Sequence, residues 1–100
     1  MEQIIYNALT KLQEIQRDTL NTNINIDIEP RFEYDTKTPW LSVTASTESW
    51  YMLPKEEKKA RYIHECISPN PSFSDRVNAA IIEDQIENIV NFVKTFSNEN

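Results

Sequence analysis

His64, Glu65 and Cys66 form the only run in the chain where catalytic residue types adjoin. An imidazole beside a thiol could raise a thiolate nucleophile, and a His-Glu pair opens some helical zinc sites. The spacing argues against both. The segment reads as helix, and at about 100° per residue a helix turns His64 and Cys66 roughly 200° apart. There is no second His four residues on, and one Cys with one His does not close a zinc site. The expectation is a pair of flanking residues beside a core arc, with no catalytic residue, no metal and no cofactor.

Three other groups carry chemistry of a binding kind. Glu83, Asp84 and Glu87 form an acidic patch on the last helix that reads as a solvated face or a docking strip for a basic partner. Lys55, Lys58, Lys59 and Arg61 make the only net-positive segment, directly after Trp50 and Tyr51. Aromatic stacking beside positive charge is how a nucleotide or a single strand is held, so Lys55, Lys58, Lys59 and Tyr62 are candidate ligand contacts. The same lysines at i,i+3 and i,i+4 from glutamates also describe an ordinary salt-bridged helix. Trp40, Trp50 and Tyr51 are candidate partner contacts, because large aromatics dominate interfaces when exposed.

The backbone that must position these residues contains no glycine at all, where a chain of 100 residues ordinarily carries about seven. Glycine-built phosphate loops and the Asn-Gly hairpin are therefore absent. Sixteen acids against ten bases give a net charge of −6, which opposes general nucleic-acid binding, since that affinity comes from Lys and Arg displacing counterions. A single cysteine excludes an intramolecular disulfide. The N-terminus lacks a basic, continuously apolar leader, and no run approaches the length of a membrane span. A cytoplasmic compartment and no membrane partner are expected. The richness in Ile, Asn and Lys hints at an AT-rich genome, such as that of a low-GC bacterium or its phage.

Ile4, Ile5, Ala8, Leu9, Leu12, Ile15 and Leu20 recur at three- and four-residue intervals, which predicts an amphipathic helix over 2–19. Asn21 and Asn23 are its expected stop, as residues that tolerate left-handed geometry. The period then changes to two. Ile24, Ile26, Ile28, Pro30, Phe32 and Tyr34 alternate with polar residues, and Pro30 marks an edge strand or a broken one. Turn chemistry at 35–39 leads into a strand over 40–47 with Leu41, Val43 and Ala45 inward. Trp40 would then share the opposite face with Asp27, Glu29, Arg31 and Glu33. Residues 49–53 are either a third short strand or an aromatic approach to a helix over 54–67, whose inward arc is Ala60, Ile63 and Ile67. The last helix is expected over 73–96, capped by Ser72 or Ser74. Its stripe of Ile82, Ile86, Ile89, Val93 and Phe96, widened by Val77, Ile81, Val90 and Phe92, looks broader than one small sheet can cover. Residues 97–100 should fray.

The expected fold is one α+β domain over 1–100, in the order α-β-β-(β)-α-α, with a small antiparallel sheet packed by an N-terminal and a long C-terminal helix. The expected function is non-enzymatic: an acidic protein-binding module, a regulator or inhibitor of a cytoplasmic protein partner, of the kind phages encode. Trp40, Trp50, Tyr51, Asp27, Glu29 and Glu33 are the expected partner contacts. Ile82, Ile86, Val90 and Val93 are the expected interface of a homodimer. Two alternatives are a structural subunit of a phage particle or ring, and a small-molecule or nucleotide binder using residues 50–59.

Overall fold

Two threonine hydroxyls make the first break in the chain, in place of the glycine that commonly ends a helix. Helix α1 runs Glu2–Asp18. Thr19 Oγ1 then donates to Gln16 O at 2.8 Å and Thr22 Oγ1 to Thr19 O at 2.8 Å, each joining a backbone N–H that bonds the same carbonyl. Asn21 and Asn23 do not take left-handed geometry. The only positive φ among the described residues belongs to Ser49, at 61°.

The computed structural model describes residues 2–33 and 38–97. Tyr34, positions 35–37 of the turn expected at 35–39 and the tail from 98 lie outside the described residues, while Thr38 and Pro39 of that turn belong to a strand. Strands β1 (Ile24–Glu33) and β2 (Thr38–Thr47) pair antiparallel, from Ile24 opposite Thr47 to Glu33 opposite Thr38. Leu41, Val43 and Ala45 are buried on one face of β2, as their alternation predicts. In β1 only Ile24 and Ile26 are fully covered, Ile28 is half-buried, and Pro30 and Phe32 are exposed. The second half of this strand therefore projects beyond the layer that buries the first.

Residues Trp50–Met52 form a single 3-10 turn, so the expectation of a strand there fails and the aromatic approach to a helix holds. That helix, α2, covers only Lys55–Ala60. The helix expected over 54–67 is cut at Arg61, and Tyr62–Ile67 becomes the third strand, β3, antiparallel to β2. The reason lies in the side chains: Tyr62, Ile63 and Ile67 are aromatic or β-branched, and 62–67 alternate exposed with covered. Ala60, placed on the inward arc by the helical reading, is exposed, whereas Ile67 is wholly buried.

Helix α3 runs Asp75–Phe96 and is capped by Ser74, whose Oγ accepts from Val77 N at 3.2 Å. Sheet order is β1-β2-β3, with α1 and α3 packed side by side on one face. The α+β class is as expected, with the third strand following α2. Leu12, Leu41, Val43, Ile67 and Ile89 fill the middle of a single core to which every element except α2 and the 3-10 turn contributes. No helix among the described residues is long and apolar enough to cross a membrane.

Candidate functional site

With both long helices on one face, the opposite face of the sheet is left open. Alternation places Asn25, Asp27, Glu29, Arg31 and Glu33 there from β1, Trp40, Ser42, Thr44 and Ser46 from β2, and Tyr62, His64 and Cys66 from β3. The register puts Asp27 opposite Thr44, Glu29 opposite Ser42 and Arg31 opposite Trp40. Acids line one margin, hydroxyls the middle, and the imidazole and thiol the other margin. Arg31 is paired with Glu29 by an ion pair between two exposed side chains.

His64 and Cys66, which a helix would have turned apart, are brought to the same face because a strand repeats every two residues. His64 Nε2 lies 3.0 Å from Ser42 Oγ and 3.9 Å from Cys66 Sγ. An imidazole thus stands between a hydroxyl and a thiol. His64 and Cys66 are exposed, and among the described residues no hydrogen bond to Nδ1 orients the ring, as an activated nucleophile would need. Glu65 points the other way. Its carboxylate accepts from Gln85 Nε2 at 3.2 Å and from Asn88 Nδ2 at 3.1 Å, and this pair of amides on α3 lets a charged residue sit between Ile63 and Ile67. Among the described residues, no three His, Cys, Asp or Glu side chains converge closely enough to hold a metal ion.

One end of the open face is walled by Trp50, whose ring centroid is 4.8 Å from that of Tyr62 at an interplanar angle of 35°. A groove of about 650 Å³ begins there, passes over Thr44, Ser46, Asn25 and Asp27, and wraps the β1 edge to Gln16 and Thr22. Its charged lining residues are Asp27 and Glu48. None of Lys55, Lys58 and Lys59 lines it. Tyr62 has left the helix of those lysines for β3. Two acids at the groove suit a cationic group and oppose a phosphate.

Of the expected partner contacts, Asp27, Glu29, Glu33 and Trp40 share the open face and Trp50 closes its end. Both tryptophans are half-buried, while Tyr51 and Met52 on the 3-10 turn are 63% and 73% exposed. Of the residues expected at a dimer interface, Ile82 and Ile86 are buried in the core of the chain itself, and Val90 and Val93 are half-buried against it. The α3 residues that do present apolar surface are Val77 and Ile81, at 45% and 44% exposure. The sequence reading placed Ser42 on this face without its contact to His64; the register sets Ser42 opposite Cys66, and its hydroxyl reaches His64 diagonally. No protein-family model, no curated protein and no solved structure matches this chain.

Proposed function

We propose that the chain is a non-enzymatic protein-binding module, a regulator or inhibitor that receives a basic segment of a protein partner on the open face of its sheet. One observation carries this reading: the face left uncovered by α1 and α3 has a row of acids along β1 and an aromatic residue at each end, Trp40 and the Trp50–Tyr62 pair. Acidic rims speed and orient association with a basic partner, and half-buried aromatics anchor it. The glycine-free backbone favours the same role, since a surface without glycine hinges is presented preformed.

The test compares capture from cells by the wild-type chain, by Asp27→Lys/Glu29→Lys and by Trp50→Ala, with quantitative mass spectrometry of what each retains. A protein held by the wild type, released by moderate salt and lost from both variants supports the reading. Identical retention by all three chains would overturn it.

A further inference from the structure

The two edges of the sheet are not alike. In an antiparallel strand the N–H and C=O of one residue point to the same side, alternating along the strand. On β1, Asn23 O accepts from Glu48 N, so the odd-numbered residues face β2 and Ile24, Ile26, Ile28 and Pro30 face outward. That outward edge is defended at three points. Thr22 Oγ1 accepts from Ile24 N at 3.1 Å, Gln16 Nε2 donates to Ile26 O at 2.7 Å, and Pro30 has no N–H.

On β3, Arg61 O accepts from Thr47 N, so residues 61, 63, 65 and 67 face β2 and Tyr62, His64 and Cys66 face outward. The contact with Gln85 Nε2, which donates to Cys66 O at 2.8 Å, agrees with that assignment. Among the described residues it is the one side-chain bond on this outward edge, covering the Cys66 carbonyl as Gln16 covers that of Ile26 on β1. The strand Tyr-Ile-His-Glu-Cys-Ile has no proline and no lysine, the usual protections of an exposed edge.

From this contrast we infer that β3 is a self-association edge, pairing antiparallel with β3 of a second copy about a twofold axis at His64. Charge selects the occupant. Two copies of a chain of net charge −6 repel wherever acids meet, and the β1 edge carries Asp27, Glu29 and Glu33 against the one base Arg31, which is paired with Glu29. The outward positions of β3 carry Tyr62, His64 and Cys66, and its only acid, Glu65, is turned inward to amides of α3. This is the edge at which two copies can meet without opposing carboxylates. Pairing about His64 sets Tyr62 opposite the second copy's Cys66 and joins the two sheets into one of six strands. The open faces then lie side by side with their acidic margins outermost, so the partner-binding reading neither requires the dimer nor depends on it.

The decisive measurement is sedimentation equilibrium of the wild-type chain over a series from low micromolar to millimolar concentration, beside His64→Asp and His64→Lys. His64 is exposed, and circular dichroism melts establish that the variants fold. The expected result is a wild-type dimer, monomers for either variant alone as like charges face each other across the axis, and dimer restored when the variants are mixed. A wild-type monomer at every concentration overturns the inference, whatever the variants do. So does a dimer that persists in His64→Asp, or a mixture that stays monomeric.

Discussion

The side chain of Asn78, on the first turn of α3, pairs with both backbone groups of Asn70. Its Oδ1 accepts from Asn70 N at 2.9 Å and its Nδ2 donates to Asn70 O at 3.0 Å. The amide imitates a strand neighbour, and it is only 2% exposed. Through it the loop that leaves β3, with prolines at 69 and 71, is fastened to the helix that follows. Asn78→Ala removes both bonds, leaving Asn70 N without its partner while Asn70 O keeps the bond from Phe73 N at 3.0 Å, and the two lost bonds cost about 1–3 kcal/mol together. At about 4–8 °C per kcal/mol for a domain of this size, the thermal midpoint should fall by roughly 5–20 °C. Asn78→Asp keeps the acceptor but sets a carboxylate against Asn70 O, so it should melt no higher than the alanine variant. An unchanged midpoint in both would show that the loop holds itself.

Ser49 is the one described residue that pays for the lack of glycine, with φ 61° and ψ 22° and no side-chain bond to the turn it precedes. A left-handed residue with a Cβ costs about 1 kcal/mol, part of which returns as the extra freedom of glycine in the unfolded chain. Ser49→Gly should therefore stabilise by about 0.5 kcal/mol and raise the urea midpoint with no change in slope. A lower midpoint would mean that the left-handed geometry is not retained in solution.

Where a sequence signal had one period, it could be read. Ile24 to Ile28 and Leu41 to Ala45 alternate, and the stripe of α3 recurs at three and four, so the hairpin and both long helices were legible. Ile63 and Ile67 are four residues apart, a spacing that satisfies a helical turn and two strand alternations alike. Glu65 between them looked like a helix surface residue, because the amides of Gln85 and Asn88 that accommodate it are twenty or more residues away. The loss of β3 to a helix also hid the cluster of His64, Ser42 and Cys66. The acidic margin with Trp40 was legible because it follows from β1 and β2 alone.

Helix α3 is apolar over more of its circumference than the core uses. Ile89 is fully buried, while Val77, more than three turns earlier on the flank, is nearly half exposed. Ile89→Ala should cost about 2–5 kcal/mol through lost contacts and the cavity left behind. Val77→Ala removes little buried surface and gains helix propensity, so it should stay within about 0.5 kcal/mol of wild type. Chemical denaturation separates the two outcomes. Equal losses would place Val77 in a covered position.

Cys66 and Ile67 are neighbours in sequence and opposites in space: the thiol is exposed on the open face, and Ile67 is wholly buried against the helices. The native chain should therefore react with dithiobis-nitrobenzoate at Cys66 about as fast as the chain unfolded in denaturant. A thiol moved by one residue, as Ile67→Cys in a Cys66→Ser background, should be reached only when the structure opens, so its rate should track stability and rise with urea. Adding Asn78→Ala to that background should quicken the reaction in proportion to the stability lost, while leaving the rate at Cys66 unaltered in the otherwise native chain. Equal native rates at 66 and 67 would show that Ile67 is not buried beside an exposed Cys66.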